Sequence, residues 1–117
     1  MSYALITGAS SGIGRCYAIE MAKRGYNIVA VSNQPQQLDE VARQINADYG
    51  VEVVTIAIDL ASEGAAKRIF DTCNASGYDV EVLICNAGMS LFSTLTRTSP
   101  ESLNTIITLH CTTTTLL

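Results

Sequence analysis

A glycine-rich turn near the start of the chain restricts the possible folds more than any other feature. The string Thr7-Gly8-Ala9-Ser10-Ser11-Gly12-Ile13-Gly14 follows an apolar run at residues 3–6, which predicts a short buried strand that leads into the turn. A helix is predicted to leave the turn over residues 11–24, because Gly25 follows two cations in its last turn. The free N–H groups and the positive dipole end of such a helix favour a phosphate, so the turn predicts a diphosphate-binding site.

The three glycines of this turn have separate predicted tasks. Gly8 is expected where the chain turns sharply, Gly12 where the backbone approaches a pyrophosphate, and Gly14 where the helix packs closely on the strand. The alternative is a glycine-rich turn that binds no ligand, which the strand before it and the helix after it make less attractive. A Walker-type phosphate loop is excluded, because no Gly-Lys-Ser or Gly-Lys-Thr follows the turn.

Composition limits the class of protein. A chain of 117 residues that is 48% hydrophobic forms at most one domain with an ample core, and a charged fraction of 15% suggests that much of its surface is covered. The net charge of −4 and the lack of a basic patch argue against a nucleic-acid partner. No apolar run approaches the length that spans a membrane, and the first predicted strand leaves no room for a signal peptide. We therefore expect a cytoplasmic protein.

The four cysteines show no pattern of a disulfide framework or a metal site. Cys16, Cys73, Cys85 and Cys111 have no C-x-x-C spacing, and no cluster of histidines lies near them. Such spacing in a cytosolic chain predicts reduced core thiols and no bound metal.

Strands and helices alternate along the chain. Apolar runs predict strands at residues 3–6, 28–31, 51–58 and 80–85. After the first helix, further helices are predicted from Pro35 to Gly50, from an N-cap at Ser62 to about Cys73, and from Ser99 onwards. Strands this apolar, separated by helices, predict an α/β fold with a doubly wound parallel sheet covered on both faces.

Two of the predicted helices have an apolar face at helical spacing. In the second helix this face consists of Leu38, Val41, Ala42, Ile45 and Tyr49. In the fourth helix it consists of Leu103, Ile106, Ile107 and, as a further candidate, His110. Residues 112–115 are four threonines, which are poor helix formers.

Three motifs in order make the chain similar to a known family. Thr7-Gly8-x-x-x-Gly12-x-Gly14 is followed by Asp59-Leu60 after the third predicted strand and by Asn86-Ala87-Gly88 after the fourth. This combination resembles the N-terminal half of the short-chain dehydrogenases/reductases, over essentially all 117 residues. The resemblance implies a Rossmann-like NAD(P)-binding domain over residues 1–117, with about four strands and the start of the fourth helix. The implied activity is hydride transfer between a nicotinamide and an alcohol or carbonyl group.

The resemblance also implies roles for single residues. The glycine turn lines the pyrophosphate, Asp59-Leu60 lies at the adenine, and Asn86-Ala87-Gly88 lines a ribose and braces the centre of the sheet. The predicted cofactor-binding residues are Gly8, Ser10, Ser11, Gly12, Ile13, Gly14, Ser32, Asn33, Asp59, Leu60, Asn86, Ala87 and Gly88. The alternatives are a loop or helix cap for Asp59 and an ordinary turn for Asn86-Ala87-Gly88.

The end of the second predicted strand bears on which nicotinamide is bound. Ser32, Asn33 and Gln34 stand there, without the carboxylate that binds a ribose 2′-hydroxyl or the arginine that accepts a 2′-phosphate. Ser32 and Asn33 can donate hydrogen bonds to a phosphate, and Arg15 adds positive charge just past the turn. We therefore predict NADP(H) in preference to NAD(H).

The chain departs from the family pattern at its catalytic residues. Family members act through a tyrosine with a lysine four residues later, and none of the five tyrosines has a lysine at that spacing. No catalytic residue is therefore predicted, and we expect no hydride transfer by these 117 residues alone. His110 stands where the family usually has asparagine, and it fits either a proton relay or a packed helix residue.

The family pattern also places a fifth strand beside the fourth. Val80, Val82, Leu83 and Ile84 are therefore predicted to form an exposed apolar edge that can pair with another copy. Because family members are about twice as long as this chain, we expect a fragment or truncation product that forms a homo-oligomer through this edge or the final helix. A small-molecule substrate is expected only where the second half is present.

Other functions were weighed against this one. A non-catalytic nucleotide-binding or interaction module differs from it only in what would follow Leu117. A methyltransferase would need an acid at the end of the second strand, where Ser32-Asn33 stands, and a sugar-nucleotide epimerase would need a different glycine spacing.

Overall fold

The computed structural model describes residues 2–88 and 97–117. Its strands are β1 (Ser2–Thr7), β2 (Asn27–Ser32), β3 (Val53–Ala57) and β4 (Asp79–Cys85). Its helices are α1 (Gly12–Lys23), α2 (Pro35–Tyr49), α3 (Ala65–Ala75) and α4 (Pro100–Ile107). A π-helix (Thr108–Thr113) and a last helical turn (Thr114–Leu116) follow α4.

The four strands form one parallel sheet in the order β3-β2-β1-β4. Leu5 in the middle of β1 pairs with Val29 of β2 on one side and with Leu83 of β4 on the other. Because parallel strands run the same way, their carboxyl ends meet at one edge of the sheet. The predicted α/β fold, a Rossmann-like parallel sheet with helices between the strands, is confirmed.

Two apolar layers, one on each face of the sheet, hold the helices in place. One layer joins β1 and β2 to α1 and α2, and its largest buried side chains are Ile6, Ile28, Leu38 and Ile45. The other layer joins the same strands to α3, and its largest buried side chains are Val29, Val31 and Ile69. Because side chains alternate along a strand, β1 and β2 supply both layers. Full burial of each such side chain stabilises the fold by about 1.5–3 kcal/mol.

Helix α2 has the predicted bounds, and part of its predicted apolar face is buried. Pro35 occupies its first turn, where a fixed φ suits a helix. Gly50 ends it with a φ of 68°, in the left-handed region that glycine adopts easily. Leu38, Val41 and Ile45 are buried as predicted. Tyr49, which shares this apolar face, lies in the last turn and is exposed.

The third helix begins later than predicted. Ser62 is not its N-cap, because α3 begins at Ala65 after Gly64 and no side chain caps it. Instead, the Ser62 hydroxyl donates to the backbone carbonyl of Asp59 and accepts from Arg68 Nη2 at 2.6 Å. The turn after β3 therefore uses the serine for its own hydrogen bonds. Strand β3 is also shorter than the predicted run of residues 51–58.

The cysteines are free, and one of the four lies in the core. Cys73 of α3 is buried, and burial raises the pKa of its thiol, which disfavours the reactive thiolate. Cys16, Cys85 and Cys111 are exposed, so the prediction of core thiols is wrong for these three.

Tyr3 ties the start of β1 to the segment before β3. Its hydroxyl donates a hydrogen bond to the carboxylate of Glu52. This hydrogen bond, with burial and the charge of Glu52, raises the pKa of Tyr3 to about 12. The ring also packs against Tyr78, with 4.9 Å between the ring centroids.

The last helical segment begins where the sequence predicts it, and part of its apolar face is exposed. The Ser99 hydroxyl accepts from the backbone N–H of Ser102 at 3.1 Å and so caps α4. Leu103 and Ile107 are exposed, because no described element packs on that face. Of the threonines at 112–115, only Thr113 is buried. In the part of the chain that the structure describes, no helix is both long and apolar enough to cross a membrane.

Strand β4 lies at an edge of the described sheet, where the sequence predicts it. Val80, Val82 and Ile84 are half-buried, and the side chain of Leu83 is 43% exposed. Glu81 is exposed between them. Pairing of this edge with a second copy stays a prediction.

Candidate nucleotide-binding site

The carboxyl ends of the four strands border one cavity of about 550 Å³. This is the edge where open parallel sheets bind their ligands. Of the predicted cofactor-binding residues, those that line the cavity are Gly8, Ser10, Ser11, Ser32, Asn33, Asp59, Leu60, Asn86, Ala87 and Gly88. The other three, Gly12, Ile13 and Gly14, form the first residues of α1 beside it.

The glycine turn brings β1 and α1 into direct contact. A Cβ on Gly14 would lie 2.0 Å from the carbonyl oxygen of Gly8 and 2.5 Å from Nδ2 of Asn86. Gly8 has a φ of 69°, which few side chains tolerate, and a Cβ there would lie 2.9 Å from the same Nδ2. Only glycine fits at both positions, in agreement with the sharp turn and the close packing predicted from the sequence.

The first turn of α1 presents open backbone. No heavy atom lies within 4 Å of the ideal Cβ position of Gly12, and the side chain of Ile13 is 69% exposed. The N-cap residue Ser11 makes no side-chain hydrogen bond to the helix, and no acidic residue stands in the first turn. The N–H groups there consequently have no side-chain acceptor, an arrangement suited to an anion.

Ser10 and Ser32 link the glycine turn to the end of β2. The Ser32 hydroxyl donates to Oγ of Ser10 at 2.8 Å and accepts from the backbone N–H of Gln34 at 3.1 Å. Both serines are buried, whereas Asn33 is exposed. Ser32 therefore positions the turn, and its single hydroxyl hydrogen is already used in the hydrogen bond to Ser10. Of the two predicted phosphate donors, Ser32 and Asn33, it is Asn33 whose side chain is accessible to a ligand.

Asp59 and Leu60 stand just beyond the end of β3. Oδ1 of Asp59 accepts from the backbone N–H of Ala61 at 2.9 Å, which is the local turn considered as the alternative reading of this residue. This bond leaves the other carboxylate oxygen for a ligand. Leu60 is buried, and its carbonyl accepts from the buried hydroxyl of Thr113. The end of β3 is thereby fixed to the π-helix.

The segment after β4 is held by the end of β1. Oγ1 of Thr7 accepts from the backbone N–H groups of Asn86 and Ala87, both at 3.0 Å. Nδ2 of Asn86 lies 3.5 Å from the carbonyl oxygen of Gly8. These contacts brace the ends of β1 and β4 against each other. The role of Thr7 was missed, although the threonine before the glycines is visible in the sequence.

Gln34, which the sequence analysis considered with Ser32 and Asn33, also lines the cavity. Sequence reasoning missed four further lining residues, Ile58, Ala61, Thr105 and Leu109. His110 lies next to them, and the ideal Cβ position of Gly88 is 2.9 Å from Cε1 of its ring. The Asn86-Ala87-Gly88 segment is thus packed against the π-helix. No local pattern predicts which face of α4 would reach the cavity.

The described cavity lining carries one charged side chain, Asp59. No group of three or more His, Cys, Asp or Glu side chains among the described residues is arranged to hold a metal ion. The chemistry of the site is therefore that of backbone N–H groups, hydroxyls, amides and one carboxylate. Such a set suits a polar ligand that carries both phosphates and hydrogen-bond donors.

Known proteins resemble this chain in sequence. The chain is 43% identical to the very-long-chain 3-oxoacyl-CoA reductase of Bos taurus over 90 residues, which are 75% of this chain and 28% of that protein. It is 36% identical to the enzyme of the same name from Kluyveromyces lactis over 118 residues, 99% of this chain and 34% of that protein. The chain thus spans about a third of the length of these relatives.

Solved structures share the fold over nearly the whole chain. A short-chain dehydrogenase from Sphingobium yanoikuyae in complex with NADPH has a TM-score of 0.91 at 32% identity, over 99% of this chain and 45% of that one. L-sorbose reductase from Gluconobacter frateurii, complexed with NADPH and L-sorbose, has a TM-score of 0.92 at 31% identity, over 99% and 44%. The model of the short chain dehydrogenase family matches residues 2–117. The chain therefore belongs to the short chain dehydrogenase family.

Proposed function

We propose that the chain forms the nicotinamide-nucleotide-binding part of an oxidoreductase that transfers hydride between NAD(P)(H) and an alcohol or carbonyl group. The observation that carries the proposal is the meeting of three separate motifs at one cavity of about 550 Å³. The glycine turn, Asp59-Leu60 and Asn86-Ala87-Gly88 are far apart in sequence and border the same space. Membership of the family supports the reaction class, and the cavity supports the location that we propose for the cofactor.

The residues present fit a dinucleotide. The open backbone at Gly12 lets a pyrophosphate approach the first N–H groups of α1. Asp59 supplies a carboxylate oxygen that can accept from the amino group of an adenine. Asn86, Ala87 and Gly88 border the part of the cavity assigned to a ribose. When bound, the nicotinamide would supply the carbon that accepts or gives the hydride, and the chain would hold and orient the nucleotide.

NADP(H) is the proposed cofactor in preference to NAD(H). No carboxylate stands at the end of β2 to repel a 2′-phosphate or to bind a free 2′-hydroxyl. The neighbours from Sphingobium yanoikuyae and Gluconobacter frateurii are complexes with NADPH. For the substrate we propose a carbonyl compound, with 3-oxoacyl-CoA thioesters to be tested first because of the names of the curated relatives.

Equilibrium binding of NADP+ to the purified protein tests the proposal. Asp59→Ala should weaken binding by about tenfold or more, because hydrogen bonds to charged groups contribute about 1.5–3 kcal/mol. Asp59→Asn keeps an oxygen that can accept from the backbone N–H of Ala61. This variant therefore distinguishes the loss of the carboxylate charge from the loss of the local turn. Asp71→Ala is the matched control, since it removes an equal charge from an exposed ion pair with Lys67. Lack of saturable binding to the wild-type protein, or equal losses in Asp59→Ala and Asp71→Ala, would contradict the proposal.

A second candidate function is a non-catalytic, self-associating nucleotide-binding module. The exposed edge strand β4 favours it, because unpaired N–H and C=O groups on an edge can pair with another chain. The two candidates differ in turnover. Oxidation of NADPH in the presence of a carbonyl substrate supports the oxidoreductase, and nucleotide binding without turnover by the complete gene product supports the module.

A further inference from the structure

The backbone carbonyls of Asp59 and Leu60 both accept hydrogen bonds from side-chain hydroxyls outside β3. The Asp59 carbonyl accepts from the Ser62 hydroxyl and also from the Ser62 backbone N–H, the latter at 3.0 Å. The Leu60 carbonyl accepts from the hydroxyl of Thr113 in the π-helix. Within the turn, Oδ1 of Asp59 accepts from the backbone N–H of Ala61 at 2.9 Å. This turn is therefore held on both sides, and the second carboxylate oxygen of Asp59 remains for a ligand.

Arg68, near the start of α3, fixes the direction of the Ser62 hydroxyl. The side chains of a helix point back towards its N-terminus, so Arg68 reaches the loop that precedes the helix. Its Nη2 donates to Oγ of Ser62 at 2.6 Å. Because that oxygen accepts from a guanidinium, the single hydrogen of the hydroxyl points to the Asp59 carbonyl, to which Ser62 donates. Donation from a cation also polarises the hydroxyl and strengthens this second hydrogen bond.

Arg68 and Ser62 lie behind the main cavity and do not belong to its described lining. Asp59 and Ala61 of the same turn do line it. The guanidinium of Arg68 takes part in neither of the ion pairs found between described residues. Any effect of Arg68 on a nucleotide in the cavity would therefore be transmitted through Ser62 and the turn to the Asp59 carboxylate.

Asp59 gains from such support because its side chain is exposed. An exposed carboxylate exchanges between rotamers, and holding it in one geometry costs conformational entropy. The hydrogen bonds of the turn restrict Asp59 before a ligand arrives, so less entropy is lost when the ligand binds. The hydrogen bonds that hold the turn therefore bear on the affinity for whatever group the carboxylate contacts.

We infer, on the basis of the proposed function, that Arg68 and Ser62 position the Asp59 carboxylate so that the site favours adenine over a base without the 6-amino group. Asp59 contacts the base, and Arg68 and Ser62 act through it as positioning residues. The amino group of adenine donates to the remaining carboxylate oxygen, whereas hypoxanthine has a carbonyl oxygen at that position, which a carboxylate repels. Helix α3 thereby contributes to base recognition without reaching the cavity.

Calorimetric titration of NADP+ and of its hypoxanthine analogue into the wild-type and variant proteins tests the inference. Arg68→Met and Ser62→Ala should each lower NADP+ affinity by about three- to tenfold and leave the affinity for the analogue within about twofold. Ser62→Thr keeps the hydroxyl and should retain the wild-type affinity for NADP+. Lys67→Met is the matched control, because it removes the same charge from the neighbouring position, where the lysine pairs with Asp71.

Double variants separate positioning from direct contact with the nucleotide. Arg68→Met combined with Ser62→Ala should weaken NADP+ binding no more than either single change, because both changes break one chain of hydrogen bonds. In the Asp59→Ala background, Arg68→Met should have no further effect, because the carboxylate that it positions is absent. A further loss in that background would mean that Arg68 contacts the nucleotide itself, and it would overturn the inference.

The outcomes also separate this inference from the proposed function. A wild-type protein that binds neither NADP+ nor its analogue overturns the proposed function and the inference with it. A wild-type protein that binds both with equal affinity agrees with the proposed function and overturns the inference alone. Equal losses for both ligands in Arg68→Met, or an unchanged NADP+ affinity in that variant, also overturn the inference. A loss that is confined to NADP+ and disappears in the Asp59→Ala background supports it.

Discussion

Gly14→Ala is the substitution whose effect follows most directly from the packing of the glycine turn. The added Cβ would lie 2.0 Å from the carbonyl oxygen of Gly8, whereas ordinary contacts begin at 3.4 Å. The start of α1 would have to move away from β1 by about 1.4 Å, the difference between these distances. Overpacking typically costs about 1–3 kcal/mol. The contact is with backbone, which cannot rotate away, so we expect a loss of about 3 kcal/mol or more.

Unfolding in urea, followed by circular dichroism, gives the free energy of unfolding, and titration with NADP+ gives the affinity. Gly50→Ala is the matched control, because Gly50 has a positive φ of 68° and no heavy atom within 4 Å of its ideal Cβ position. It should cost about 1–2 kcal/mol from left-handed strain and leave NADP+ affinity unchanged. Gly14→Ala should lower both quantities. If it is no more destabilising than Gly50→Ala, or if its NADP+ affinity equals that of the wild-type protein, the assigned role of Gly14 is wrong.

Three further perturbations test other contacts. The hydroxyl of Tyr3 has a pKa of about 12 in the fold, above its ordinary value of 10.0, so its protonated form adds stability that is complete below about pH 10 and lost as the pH rises towards 12. The difference in unfolding free energy between the wild-type protein and Tyr3→Phe should therefore shrink between pH 9 and pH 11.5. A constant difference would contradict this. Thr113→Val leaves the buried carbonyl of Leu60 without its donor, so the free energy of unfolding, measured by thermal unfolding, should fall by about 1–3 kcal/mol. Thr115→Val, at an exposed position, is the control and should change this free energy by no more than about 0.5 kcal/mol. Leu83→Lys charges the exposed edge of β4 and should lower the association constant measured by sedimentation velocity; a wild-type protein that is monomeric at micromolar concentration would argue against self-association.

The parts of the fold that depend on local patterns were predictable from the sequence. The apolar residues of β1 and β2 are buried on both faces, which is why these strands read as unbroken apolar runs. Glycine at position 14 is required by a contact between neighbouring elements, and the strand–turn–helix order makes it recognisable. The three motifs at the carboxyl edge are recognisable because parallel strands bring their ends together whatever lies between them.

The parts that depend on contacts between distant elements were not predictable. Ser62 has the composition of an N-cap, but hydrogen bonds within the turn compete for its hydroxyl. Ser32 is a plausible phosphate donor in sequence, yet in the fold its hydroxyl donates a hydrogen bond to Oγ of Ser10. Thr105 and Leu109 reach the cavity only because α4 and the π-helix pack over the strand ends. Each case depends on which partner is nearest in space, which no single-sequence pattern specifies.

Nuclear magnetic resonance titration with NADP+ tests the central claim most directly, because it reports where the nucleotide binds. We predict saturable shifts of the backbone amide signals at residues 8–14, 59–60 and 86–88. The signals of Glu63, Ala66 and Thr112 should stay unchanged, since they line a different cavity of about 480 Å³ beside α3. Absence of saturable shifts, or shifts confined to that other cavity, would contradict the assignment of the carboxyl edge of the sheet as the nucleotide site.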